Sequence, residues 1–150
     1  MCSSDLVIAA RPTVEKLVQL AEDDSVGGVV LHIRSPGGSA TASDVIWRAA
    51  AELGRKKPVV AVLGDVAASG GYYIAVAATE ILVGPNTLTG SIGVVGGKPV
   101  IGGALAKVGL YSELVLGAPR AGMYSIDVRM TPEERLRFRA SLKAFYAAFV

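Results

Sequence analysis

Two stretches of this chain repeat one arrangement. Val26–Arg34 (VGGVVLHIR) is a short apolar run with β-branched residues, and Ser35-Pro36-Gly37-Gly38 ends it because proline and two glycines do not continue a buried strand. A helical pattern follows, with Val45, Ile46, Ala49 and Leu53 on one face and Gly54 as its expected stop. Pro58–Gly64 (PVVAVLG) opens the second copy: an apolar strand, a small-residue turn, then a helical run from about Gly70 to Ala78. Two successive strand, glycine-turn, helix units predict an α/β fold around a parallel sheet.

The remaining elements are shorter or simpler. Apolar residues at Val14, Leu17, Val18 and Ala21 predict a helix over Pro12–Asp24. Strands are expected at Glu80–Val83 and Tyr111–Leu116, with a helix from about Pro99 to Val108 between them. Thr131-Pro132-Glu133-Glu134 combines an N-cap threonine, a proline at the first helical position and a capping-box glutamate, so a helix begins there. Its apolar face, Phe138, Leu142, Phe145 and Phe149, is still running at Val150, and the expectation is a chain cut mid-helix from a longer protein. A length of 150 residues suits one domain, 1–150.

Composition removes several function classes. The chain is 51% hydrophobic, yet no apolar run reaches the roughly eighteen residues that a membrane span needs. Net charge is +2 and the basic residues are scattered outside Arg129–Lys143, so no nucleic-acid footprint is expected. One cysteine, Cys2, and one histidine, His32, form neither an internal disulfide nor a soft metal site, which leaves chemistry without a cofactor or a metal. The opening MCSSDL lacks the basic and apolar regions of a signal peptide.

The chemistry concentrates at the two glycine turns. At the carboxyl ends of parallel strands such turns present backbone N–H groups beside helix N-termini, where they face negative charge. Ser69 lies between Ala67-Ala68 and Gly70-Gly71. It reads either as a helix N-cap in a tight turn or as a nucleophile whose oxyanion the Gly70 N–H would stabilise. A nucleophile needs a base. His32 sits inside an apolar strand, where a packed core imidazole is the expectation; Lys98 and Lys107 are the candidate lysines, whereas Lys56, Lys57 and Lys143 fall at surface positions.

Three strings, SPGGSATASDVI, KPVVAVLGDVAASGGYYIA and NTLTGSIGVVGG, in this order and at these separations, resemble the signal peptide peptidase A (protease IV) family from about Val26 onward. The resemblance implies a Clp-protease/crotonase-like ββα-spiral fold, a mostly parallel sheet flanked by helices. It also implies a membrane-associated bacterial serine endopeptidase with a Ser/Lys dyad, acting on signal-peptide remnants at the extracytoplasmic side. By the same resemblance Ser69 matches the nucleophile, Gly70 and the Ser35-Pro36-Gly37-Gly38 turn the oxyanion-hole region, with Gly70, Gly37 and Gly38 as its donors, and Ser91 in TGSIG a serine that orients the catalytic lysine.

The lysine is the departure. In single-domain members it precedes the helix that starts at M-T-x-E-E, a segment reading GAPRAGMYSIDVRMTPEE here, and Arg120 occupies the aligned position. Arginine stays protonated and cannot serve as a base. Long family members hold two tandem copies of the fold, with the serine in the C-terminal copy and the lysine in the N-terminal one. The expectation is therefore a C-terminal half, with lysine supplied by an N-terminal half or a neighbouring subunit, assembly into a homo-oligomer, and membrane association through segments outside this chain. Lys98 is the candidate substitute base within it. A non-catalytic homologue serving as an assembly scaffold is the competing expectation, and a crotonase-like acyl-CoA enzyme, which lacks a matching acidic base here, is a third.

Overall fold

A computed structural model describes residues 9–150; Cys2 and the MCSSDL opening lie outside the described residues. Two compact units make up the chain, one running through Gly93 and including Phe149, the other holding Val94–Ala148 with Val150.

The first unit contains α1 (Ala10–Glu22), β1 (Val29–Ser35), α2 (Ala40–Lys56), β2 (Val59–Ala68), α3 (Gly70–Ala75), β3 (Glu80–Val83) and β4 (Leu88–Gly90). Its sheet is built on β2, which pairs in parallel with β1 from Val29↔Val59 onward, with β3 at Val60↔Glu80 to Leu63↔Val83, and with β4 at Val66↔Leu88 to Ala68↔Gly90. The expected parallel α/β architecture is present. Alternation along the strands sends Ile33, Val59, Ala61, Leu63 and Ala67 into one core with Leu17, Ile46, Ala50, Leu53, Ile74 and Ala75. Burying side chains of the size of Leu53 and Val59, both fully enclosed, stabilises by about 1.5–3 kcal/mol each. Alanines at positions 50, 61, 67 and 75, all fully buried, let helix and sheet approach closely.

Several boundaries differ from the sequence reading, each for a local reason. Gly54 does not stop α2; the helix continues to Lys56, and the Lys57 N–H closes it on Leu53 O. Gly64 does not end β2 either. The register jumps from Ile33↔Leu63 to Ser35↔Ala67, so β2 carries two extra residues through Gly64-Asp65-Val66 and resumes pairing beyond them. Val18 and Val45 belong to the apolar patterns of α1 and α2 but are exposed.

Beyond Gly93, α4 is only Gly102–Lys107, and α5 runs Pro132–Phe149 from the capping box read in the sequence: Thr131 Oγ1 accepts from Glu134 N–H and the Glu134 carboxylate accepts from Thr131 N–H. No strand forms at Tyr111–Leu116. No strand pairs with this segment, and Tyr111 and Val115 are almost fully exposed.

Candidate functional site

The extra residues in β2 re-aim its end, and Ala67-Ala68 deliver the chain to Ser69 at the start of α3. Ser69 adopts φ 50° and ψ −118°, a left-handed conformation that an L-residue holds only when its surroundings impose it. Backbone bonds on both sides impose it here. Its N–H donates to Gly90 O at 2.7 Å, and its carbonyl accepts from Tyr73 N–H at 2.8 Å. The hydroxyl, by contrast, makes no capping bond to α3. An N-cap serine would spend its oxygen on the helix's first N–H groups; this one leaves it uncommitted among the described residues.

The first glycine turn lies directly against it. A Cβ added at Gly37 would stand 2.6 Å from Ser69 Cβ, 2.9 Å from the Gly70 nitrogen and 3.0 Å from Ser69 Oγ, so only a glycine, here at φ 102°, permits this approach. Gly37 N–H donates to Ser35 Oγ at 3.2 Å, a bond that folds the turn back on the end of β1. The Gly38 and Gly70 N–H groups donate to no described residue. Ser35, Ser43 and Gly71 pack the floor of the site. A Cβ at Gly70 would meet Ser43 Oγ at 2.3 Å, and one at Gly71 would meet Ser35 O at 2.7 Å. Ser43 Oγ is itself fixed by donating to Ser39 O at 3.0 Å, one turn back in α2.

Ser91 is brought to the same place by the sheet. Ala68↔Gly90 is a β2–β4 pair, and Gly90 O is the acceptor for Ser69 N–H, so Ser91 follows the residue that anchors the Ser69 backbone. It is exposed and adopts φ 53°. Ser69, Gly70, Gly37, Gly38 and Ser91 thus converge from three separate strings of the sequence. Attack on a carbonyl needs a nucleophile and donors for the charge that forms, and a hydroxyl against a glycine turn, with the Gly38 and Gly70 N–H groups uncommitted among the described residues, can offer both.

Sequence comparisons identify the family. The profile of peptidase family S49 matches residues 51–150, and that of Clp protease matches residues 7–88. The chain belongs to peptidase family S49. The serine protease SPPA of Arabidopsis thaliana chloroplasts is 38% identical over 95% of this chain, and Protease 4 of Salmonella typhi 40% identical over 95%. Protease 4 of Haemophilus influenzae is 39% identical over 73%. This chain covers 21%, 23% and 18% of those proteins respectively, so it spans about a fifth of their length.

The candidate bases of this S49 chain have other commitments or positions. His32 is not the packed core imidazole expected from its strand; the alternation of β1 puts it on the exposed face with Val30 and Arg34, and Arg34 pairs with Asp65 at 3.3 Å. Lys98 Nζ donates to Ser125 O and Val128 O, each at 2.7 Å. Lys107 is exposed at the end of α4. Lys57 is half-buried rather than a free surface cation, because its ammonium donates to Leu20 O and Asp23 O at the end of α1. Arg120, at φ 71°, pairs with Glu133 at 3.0 Å. Among the described residues no three His, Cys, Asp or Glu side chains gather as a metal site, and no helix is long and apolar enough to cross a membrane.

Ser43, Asp44 and Tyr73 are parts of the site region that sequence reasoning missed. Tyr73 Oη donates to Asp44 at 3.0 Å, and Arg48 Nε donates to the other carboxylate oxygen at 2.9 Å. The Arg48 hydrogen bond, helped by Tyr73, holds the Asp44 carboxyl below its ordinary range. Burial, reinforced by Asp44, pushes the Tyr73 phenol up. The sequence signal for this pair was spacing alone: Tyr73 lies one helical turn beyond Ser69, and Asp44 one turn beyond Ala40, where α2 begins.

Proposed function

We propose that this chain carries the nucleophile of a serine endopeptidase of the signal peptide peptidase type. Ser69 Oγ attacks the scissile carbonyl. The Gly70 and Gly38 N–H groups receive the oxyanion, while Gly37 supplies the close approach and keeps its own N–H on Ser35. A lysine takes the Ser69 proton and Ser91 orients it. That lysine comes from outside this chain, from an N-terminal copy of the fold or a neighbouring subunit. Lys98, whose ammonium is held between two carbonyls, is the weaker candidate, because a base must present a free lone pair. The substrates are signal-peptide remnants and other apolar peptides, cleaved at the extracytoplasmic face of a bacterial membrane to which other segments bind the protein. A homo-oligomer encloses the site.

One observation carries this reading: Ser69 is held in a left-handed conformation against Gly37 with its hydroxyl uncommitted to the helix it begins. Arg120 at the lysine position favours a second reading, a non-catalytic scaffold. Fluorophosphonate labelling of the folded chain, alone and with a lysine-bearing domain added, separates the two. Labelling that disappears in Ser69→Ala and survives Lys98→Ala is expected once a lysine is supplied. Loss in Lys98→Ala would make Lys98 the base, and no labelling under either condition would favour the scaffold.

A further inference from the structure

The two halves of the site hang from different helices. The Gly37-Gly38 turn leads into α2 through its N-cap, Ser39, whereas Ser69 starts α3. Their separation decides whether an oxyanion formed at Ser69 falls within reach of both donors. A side-chain hydrogen bond spans them: Tyr73 Oη, on α3, donates to Asp44 Oδ1, on the first turns of α2, at 3.0 Å. Both ends of this link are restrained. Arg48 holds the Asp44 carboxylate through its other oxygen, and the Tyr73 ring is buried and stacked on Trp47 at 5.8 Å with 7° between the planes. Tyr73 also reaches the nucleophile through its backbone, since its N–H donates to Ser69 O and closes the first turn of α3.

We infer that the Asp44–Tyr73 hydrogen bond is a positioning clamp that sets the distance between the Ser69 hydroxyl and the Gly38 oxyanion donor of the Gly37-Gly38 turn. The inference rests on the serine-nucleophile reading. Neither residue touches the reacting atoms. Tyr73 acts through Ser69 O and Asp44 through the start of α2, and α3, with six residues, has too little length to hold its own angle against α2.

The test is the fluorophosphonate inactivation of Ser69, resolved into a binding constant and a maximal rate, under whichever condition labels the wild type. Tyr73→Phe and Asp44→Ala are each expected to lower the maximal rate about ten- to a hundredfold, the range for a nucleophile displaced by a fraction of an ångström to one ångström, with probe binding little changed. The double variant is expected to lose no more than the worse single one, because both break the same α2–α3 bond and the Arg48 pair that Asp44→Ala also removes lies within α2. Asp44→Asn, which keeps an acceptor for the phenol, is expected to recover much of the rate lost in Asp44→Ala. Leu17→Val, a core change in α1, serves as the stability control: it lowers Tm and leaves the maximal rate as in the wild type. Equal maximal rates in Tyr73→Phe and a labelled wild type would overturn the clamp alone, as would additive losses in the double variant. A wild type that never labels at Ser69 would instead overturn the nucleophile reading.

Discussion

At the scale of single residues the site is a problem of crowding, and its glycines are the solution. Ser69 keeps φ 50° because Gly90 O and Tyr73 N–H hold its two peptide groups. Strain of this kind costs about 1–3 kcal/mol, and glycine would relieve it at an entropic cost of about 0.5–1 kcal/mol. Ser69→Gly is therefore expected to be about 1 kcal/mol more stable than Ser69→Ala in urea unfolding, although neither variant takes a fluorophosphonate label. Equal stability of the two would show that the backbone relaxes once the hydroxyl is gone. Gly70→Ala is expected to destabilise by about 1–3 kcal/mol, because the new methyl meets Ser43 Oγ and that hydroxyl cannot swing away without giving up Ser39 O. Adding Ser43→Ala should recover part of the loss, since the Oγ at 2.3 Å disappears while the Ser43 Cβ at 3.3 Å remains. An additive double variant would mean that the conflict lies with the backbone of the Gly37 turn.

At the scale of elements, α2 and α3 meet through a titratable pair whose two directions fix the expected pH behaviour. The folded state lowers the Asp44 carboxyl below its ordinary 3.8, chiefly through the Arg48 hydrogen bond, so its stabilising contribution is present above that value and disappears as pH falls through the folded one. The folded state raises the Tyr73 phenol above 10.0, chiefly through burial, so that contribution is present below pH 10 and disappears as pH rises through the raised value. In chemical unfolding across pH, Asp44→Asn should flatten the acid limb and Tyr73→Phe the alkaline limb; limbs that keep the wild-type slope would remove the pair from the pH dependence. Strand, glycine turn and helix were legible in order because β-branched runs and glycine turns are local signals. The Thr131 capping box was legible for the same reason. The passage of β2 through Gly64 was not, since a bulge depends on what β1 offers opposite it. Nor was the three-residue β4, whose pairing with Ala68 exists only in the folded sheet. At Tyr111–Leu116 an apolar pattern found no neighbouring strand, and a pattern without a partner makes no ladder. Ser69, Gly70, Gly37, Gly38 and Ser91 could be named from their strings, whereas the Asp44–Tyr73 bond joins residues 29 apart in sequence and needs the fold to be seen.

At the scale of the whole molecule the open question is where the proton goes. A serine hydroxyl is a weak nucleophile until a neighbouring base takes its proton, and the lysines described in this chain hold other positions. Lys98 in particular bridges Ser125 O and Val128 O, which ties together the loop before α5. Lys98→Ala should accordingly lower stability by about 1.5–3 kcal/mol, as loss of hydrogen bonds from a charged donor does, without changing the labelling rate of Ser69 where an external lysine is present. The two proposed external sources predict different concentration dependence. A lysine from a neighbouring copy makes the labelling rate per chain rise with chain concentration and level off as the oligomer fills. A lysine from an N-terminal copy leaves the isolated chain slow at every concentration, and the added domain restores the rate in a saturable way. A rate that is fast and independent of concentration in the isolated chain would place the base within these 150 residues and overturn both.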